Sequence, residues 1–309
     1  MYKDNLMNLL IIGGSGHVSG TLAQAALGGG HDVWTITRGK RPLPEGVNPL
    51  ISDRHDYEAL TTIVAGEEIV WDLVVDCICY DVPDIRQDIE LFRHRARQFV
   101  FISTDFVYAP AQRTFPQPEN TDHYVQAGEG SISYGLKKRL CEQELIQADT
   151  GDMVWTIVRP CHIYGPGSKL GCLPLHGRDP DLLRKMRAGE TLQLVGAGHF
   201  LQQPILVHDL AETIISIAGH NTAHREIFNI AGPDVIESRQ YYQIIADKLA
   251  VELHIEEIPV RSYAAQNPAQ TPFLCHRIYD LSRLQASGMK VPSTSIEKGL
   301  EMHVEALSA

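Results

Sequence analysis

The sequence predicts an α/β fold, a doubly wound parallel sheet with a smaller C-terminal α/β lobe. Three observations predict it. Apolar runs of strand length alternate with helical segments through the first half of the chain. A glycine-rich turn, Gly13-Gly14-Ser15-Gly16-His17-Val18-Ser19-Gly20, joins the first such run to the first helix. Tyr134 and Lys138 fall one helical turn apart and share a face. A length of 309 residues allows one large domain or two lobes. The net charge of −11 argues against nucleic acid or an anionic membrane as partner. No apolar run reaches membrane-helix length, and the N-terminus reads as a strand where a signal peptide would need a different pattern, so a cytoplasmic protein is expected.

The elements follow in order. Leu9 to Ile12 is a continuous apolar run, the mark of a parallel strand buried on both faces, and Thr21 to Leu27 is a helix. Further strands are expected at His31–Thr37, around Pro49 to Ser52, at Leu73–Ile78, at Gln98–Ser103 and at Met153–Val158. Helices are expected from about Asp56, at Val82–Arg95 and at Ser131–Gln147, with a polar loop over Ala109–Gly130. After Pro160 the regularity loosens. A long loop region from Gly165 to Pro180 is followed by a helix at Asp181–Arg187, a strand at Leu192–Val195, a helix at Val207–Ala218 and a strand at Ile227–Ile230. An amphipathic helix from Ser238 to about Ala250 and a last helix from about Ser295 close the chain. The expected partition is a dinucleotide-binding domain over 1–165 with 203–232 returning to it, and a substrate lobe from 166–202 and 233–309.

A glycine turn between a strand and a helix gathers bare backbone amides and a helix N-terminus at one spot, which suits a pyrophosphate, as in a Rossmann fold. The residue closing the second strand meets the adenosine ribose. Here it is Arg38, with Lys40 and Arg41 close behind, which favours NADP over NAD. Asp53, at the end of the third strand, either reaches the adenine amino group or caps the next helix. Thr104 follows the fifth strand, at the sheet edge where such folds bind ligands. No CxxC or HExxH is present, so no metal site is expected. Cys77 and Cys79, two apart in an apolar run, read as reduced thiols on one strand face.

With these residues in view, the chain resembles the extended short-chain dehydrogenase/reductases, the NAD-dependent epimerase/dehydratase group. The resemblance rests on Gly13-x-x-Gly16, Ser103 to Tyr108, Tyr134-x-x-x-Lys138, Arg159-Pro160-x-x-Ile163-Tyr164-Gly165-Pro166 and Val207-x-Asp209-Leu210-Ala211, in that order. It implies an oxidoreductase or epimerase acting on a hydroxyl or carbonyl of a small, sugar-like substrate, and a homodimer through the helices of Val82–Arg95 and Tyr134–Lys138. Tyr134 would move the proton, its phenol pKa drawn toward neutrality by the Lys138 ammonium and an oxidised nicotinamide. Lys138 would also hold the nicotinamide ribose, and Thr104 would orient the substrate oxygen. Asp105 is a proton donor or a strand-end cap. Cofactor contacts are expected from Gly13, Ser15, Gly16, His17, Val18, Arg38, Asp53, Ile78, Pro160 and Ile163. The cofactor is NADP, with NAD second.

The chain departs from the group's pattern at several points. Phe106 replaces the glutamate of the dehydratase pair, and Ser19 replaces the third glycine of the turn. Asp76 to Tyr80 is unusual after the fourth strand, and the arginines that grip a nucleotide-sugar diphosphate are missing. Tyr80, His162, Gln202, His276 and Arg277 are therefore the candidate substrate contacts. The alternative is a non-catalytic dinucleotide-binding or RNA-binding protein of the same fold, because the Arg38 turn, Ser52-Asp53-Arg54 and Asp76 to Tyr80 also resemble a branch that includes chloroplast stem-loop RNA-binding proteins.

Overall fold

A computed structural model describes residues 6–128, 133–175 and 177–308. In chain order the main elements of the first part are β1 (Asn8–Ile12), α1 (His17–Gly28), β2 (Asp32–Thr37), β3 (Asn48–Ile51), α2 (Tyr57–Gly66), β4 (Trp71–Asp76), α3 (Val82–Phe92), β5 (Ala96–Ile102), α4 (Ser133–Gln147) and β6 (Val154–Pro160). There follow β7 (Ile163–Tyr164), α5 (Leu182–Arg187), β8 (Leu192–Val195), β9 (Leu201–Gln202), β10 (Ile205–Leu206), α6 (Val207–Ser216) and β11 (Glu226–Ile230). The last are β12 (Ile236–Glu237), α7 (Ser238–Leu249), β13 (Ile255–Ile258), α8 (Val260–Gln266), α9 (Ser282–Ala286) and α10 (Ile296–Ser308). The expected start of the Tyr134 helix at Ser131 lies outside the described residues.

Seven strands form one parallel sheet in the order β11-β6-β5-β4-β1-β2-β3. The order reverses between β1 and β4, which makes the crevice above their carboxyl ends the place where such sheets bind ligands. Strand period explains the two faces. Leu9 and Ile11 turn to one side and pack with Leu22 and Ala26 of α1 and with Leu210 and Ile214 of α6. Leu10 and Ile12 turn to the other side and pack with Leu60 of α2, Ile85 and Ile89 of α3 and Leu145 of α4. All four strand residues are fully buried, each stabilising the fold by about 1.5–3 kcal/mol.

A third apolar cluster joins Tyr164, Leu192, Leu194, Tyr241, Ile245 and Leu300, away from the sheet. The parallel pair β8–β13 and helices α7 and α10 build it. Asp209 of α6 ties the two regions: its carboxylate accepts the backbone N–H of Ser293 and Thr294, both at 2.8 Å, and the Thr294 hydroxyl at 2.7 Å.

One local expectation changes. The fourth strand stops at Asp76, not Ile78, because the Asp76 carboxylate accepts the Ile78 N–H at 2.6 Å and turns the chain. Cys77 then packs with the cluster on one side of the sheet and Cys79 with the other, so the two thiols do not share a face. All six cysteines are free, and no described helix is long and apolar enough to cross a membrane.

Candidate functional site

The first turn of α4 sits unusually close to the sheet edge. Gly135 makes this possible, since a Cβ there would overlap the carbonyl oxygen of Phe106. Two turns of α4 are then anchored from below. Glu142 is fully buried, and its carboxylate receives Arg159 Nε at 2.8 Å, Arg159 Nη2 at 2.7 Å and the Ser103 hydroxyl at 2.6 Å. This two-pronged pair ties α4 to the ends of β5 and β6. Burial alone would raise the Glu142 carboxyl, but the Arg159 charge and these hydrogen bonds hold it below the usual range. The arginine of the Arg159-Pro160 motif is thus a positioning group.

Lys138, one turn before Glu142, is buried to 2% exposure. Its ammonium donates to the carbonyl of Cys79 at 2.6 Å and of Ile102 at 2.7 Å. Two of its three N–H groups are engaged by the chain, which leaves one for a ligand. It also lies 5.9 Å from the Tyr134 ring centroid. Tyr134 hydrogen-bonds with Thr104, whose oxygen in turn accepts the Phe106 N–H at 3.3 Å. In the chain alone the Tyr134 phenol is pushed up to about 12, first by burial and then by Tyr80 and Asp105, with the Thr104 bond opposing. The expected fall toward neutrality rests on a bound oxidised nicotinamide as well as on Lys138. The Lys138 charge faces two carbonyls, so lowering the phenol falls to whatever binds beside it.

These groups converge on a cleft of about 330 Å³ lined by Val18, Tyr80, Thr104, Asp105, Tyr134, Lys138, Pro160, His162, Ile163 and Arg277, together with Cys77, Phe106 and Arg178. Asp105 cannot give up a proton there. Burial would raise its carboxyl, but Arg277 and Arg113 hold it below the usual range. It pairs with Arg277 Nη1, with Arg113 Nη2 at 3.2 Å, and accepts the Tyr279 hydroxyl at 2.5 Å. The donor role for Asp105 is therefore replaced by an ionised anchor. His162 is pushed down to about 4 by burial and by the charge of Arg178, so it is a neutral imidazole at neutral pH.

A second depression of about 530 Å³ is lined by Gly13, Ser15, Gly16, Ser19, Arg38, Asp53, Ile78 and Tyr80, with Lys40, Arg41 and Arg54. Gly13 and Gly14 hold φ of +127° and +106°, and a Cβ on Gly14 would meet Thr35 at 2.6 Å, so glycine is required there. Ser19 is accommodated because its hydroxyl accepts the Gly16 N–H at 3.0 Å. Among the described residues no carboxylate pairs with Arg38, Lys40 or Arg41. Asp53 accepts the His55 N–H at 3.1 Å, while Asp56 is the cap of α2, accepting from Ala59 at 3.1 Å. Asp53 is thus free of the helix-capping role and faces the depression.

Tyr80 borders both hollows. Its loop is held by Arg54, which pairs with Asp76 at 2.6 Å, Asp88 at 3.0 Å and Asp84 at 3.3 Å, and by the Tyr80 N–H bonded to Asp84 at 2.8 Å. Asp76 is consumed in this cluster and does not face the hollow. His17 begins α1, and neither of its ring nitrogens has a partner. Burial and the Arg178 charge push it down to about 4.

Two expected substrate contacts lie elsewhere. His276 accepts the Leu201 N–H at 3.0 Å with its ring 5.5 Å from that of Phe115, and it does not line the cleft. Gln202 is buried, forms a backbone bridge with Arg277 and also stays out of the lining. Sequence reasoning missed Arg113, Tyr279, Arg178 and Arg54. Arg113 and Tyr279 are 166 residues apart, and no local spacing signals that they share one carboxylate.

Residues 88–231 match the model of the NAD dependent epimerase/dehydratase family. The chain superposes on UDP-glucose 4-epimerase of Thermotoga maritima, solved with UDP-glucose, with a TM-score of 0.78, 18% identity and coverage of 98% of this chain and 99% of that one. An epimerase of Methanothermobacter thermautotrophicus gives 0.78 at 16% identity, covering 98% and 93%. At these identities the likeness establishes the fold. In sequence the chain is 25% identical over 292 residues to 2′-dehydrokanamycin reductase of Streptomyces kanamyceticus, covering 91% of this chain and 79% of that protein. It is also 25% identical over 241 residues to a chloroplast stem-loop binding protein of 41 kDa from Arabidopsis thaliana, covering 72% of this chain. The chain spans 58% of the length of that relative. The seven-stranded parallel sheet thus has the fold of these epimerases, and the match to the epimerase/dehydratase family model covers 88–231 of the chain.

Proposed function

We propose that this chain is an NAD(P)-dependent oxidoreductase or epimerase that acts on a hydroxyl or carbonyl of a small, sugar-like substrate. The observation that carries this reading is the convergence of Thr104, Tyr134 and Lys138 on one cleft beside the glycine-turn depression. The residues of that depression fit a dinucleotide: backbone amides of the turn and the N-terminus of α1 for the pyrophosphate, Asp53 for the adenine and Arg38 for a 2′-phosphate. The bound nicotinamide would supply hydride exchange. Tyr134 would hold the proton exchanged with the substrate oxygen, and Thr104 would orient that oxygen. Lys138 would offer its remaining N–H to the cofactor ribose. Arg38, Lys40 and Arg41 support NADP over NAD. Leu140 and Ile146, exposed on α4 at 43% and 41%, support pairing of two copies. The free cysteines support a cytoplasmic site of action.

The test is Tyr134→Phe. It should lose turnover by about 10²–10⁴-fold while binding NADPH as the parent does. Full activity in the variant would sink the proposal. The second reading, a dinucleotide-binding protein that engages RNA, draws on the stem-loop binding relative. Salt-sensitive binding of a stem-loop RNA, with no turnover across aldoses and ketoses, would favour it.

A further inference from the structure

The substrate side of the cleft carries more positive charge than the chain neutralises. Among its described lining residues the cations are Lys138, Arg178 and Arg277, and the one carboxylate is Asp105. That carboxylate is shared by two guanidiniums, Arg277 and Arg113, which are 2% and 8% exposed. Tyr279, its third partner, is a neutral donor. The Arg113–Asp105–Arg277 cluster therefore keeps one positive charge without a counterion in the protein interior, an arrangement that is costly unless something pairs with it.

Arg277 shows where that partner belongs. Its Nη1 goes to Asp105, while Nε and Nη2 are buried and have no hydrogen-bond partner. Nε and Nη2 form one edge of the guanidinium, the edge that receives two oxygens of a carboxylate or phosphate side by side. The guanidinium lies 4.4 Å from the centroid of the Phe106 ring, and that ring is in edge contact with Tyr134 at 6.4 Å. The Phe106 ring thus contacts both the Arg277 guanidinium and the Tyr134 ring.

We infer that the substrate carries an acidic oxyanion group, a carboxylate or a phosphate, received by the Nε/Nη2 edge of Arg277 while its hydroxyl or carbonyl meets Tyr134 and Thr104. This rests on the oxidoreductase reading above and narrows it to acidic substrates. Arg178, an exposed lining residue of the same cleft, adds attraction for the incoming anion.

The experiment compares matched neutral and acidic ligands on the cofactor-loaded protein: glucose against glucuronate and glucose 6-phosphate, galactose against galacturonate, and propane-1,2-diol against lactate. Binding is read by calorimetry and turnover by nicotinamide absorbance. At least one acid should bind about tenfold or more tightly than its neutral partner. The uronate and the sugar phosphate arms tell which oxyanion the site prefers. Arg277→Lys, which keeps a charge beside Asp105 but removes the flat edge, should bring that ratio close to one. Arg178→Gln, at an exposed position, should reduce it without disturbing the fold. No preference for an acid in any pair overturns the inference. If a neutral member alone is turned over, the oxyanion site is wrong and the oxidoreductase reading stands. If acids bind through Arg277 and cofactor is bound but no hydride is exchanged with any ligand, the oxyanion site stands and the oxidoreductase reading fails.

Discussion

The ammonium of Lys138 donates to the carbonyl oxygen of Cys79 at 2.6 Å, so the helix bearing Tyr134 and the loop that follows β4 meet at one buried charge. The same loop carries Ile78 and Tyr80 to the edge of the glycine-turn depression. Lys138→Met should therefore do two things at once. It should weaken NAD(P)H binding, seen by nicotinamide fluorescence, and it should strand two carbonyls, lowering stability in urea by about 1–3 kcal/mol. A variant that loses turnover with neither change would limit the lysine to the chemical step.

The Tyr134 phenol, pushed up to about 12 in the chain alone, is protonated throughout the neutral range. Under the proposed function, in the reducing direction it already holds the proton it would give. In the oxidising direction it must first lose one. Oxidation should accordingly speed up with rising pH, with a slope near +1 in log kcat/KM through neutrality, while reduction stays flat over the same range. Initial rates in both directions would check this, and Tyr134→Phe should abolish the slope.

Arg38 faces the depression without a carboxylate partner among the described residues. Replacing it by Ser removes a charge-assisted contact worth about 1.5–3 kcal/mol, a loss of roughly ten- to a hundredfold in NADPH affinity. NADH affinity should hardly change. Equal losses for both cofactors would move Arg38 from the ribose phosphate to the general architecture.

Glu142 has a cost of its own. Glu142→Gln leaves the buried Arg159 guanidinium without its counter-charge, and about 3–5 kcal/mol of stability should be lost in chemical denaturation. Turnover should fall with it, because Tyr134 and Lys138 share that helix.

Stability should decline in two steps as pH drops. His162 and His17 are pushed down to about 4 in the folded chain, so the unfolded chain takes up protons first, and stability begins to fall below about 6.5. Glu142 and Asp105 are held below the usual carboxyl range. Their contribution is present above that range and is lost as pH falls through their folded values. Thermal melts from pH 8 to pH 3 would resolve the two steps, and His162→Asn should shrink the upper one.

The sheet was legible because burial on both faces writes itself as unbroken apolar runs, as in Leu9 to Ile12. The pairing of Tyr134 with Lys138 was legible because helical spacing is local. Asp105 was visible as a residue and not as a role, since what fixes its proton comes from Arg277 and Tyr279, 172 and 174 residues away. Gln202 stands where the group carries an arginine and His276 is the chain neighbour of Arg277, yet of these three only Arg277 lines the cleft. Cys77 and Cys79 were placed on one face because a hydrogen bond from Ile78 to the Asp76 side chain ends a strand whose composition gives no stop signal.

The hydroxyl of Ser19, bonded to the Gly16 amide, has a kinetic meaning. It latches the turn from inside before any ligand arrives, so the conformational entropy of that segment is already lost in folding rather than on binding. A preset turn asks for no loop closure as the dinucleotide enters, and its association rate should be governed by encounter and steering instead. The latch also occupies one amide that a phosphate would otherwise receive. If the chain binds a dinucleotide as proposed, its cradle is set before the nucleotide arrives.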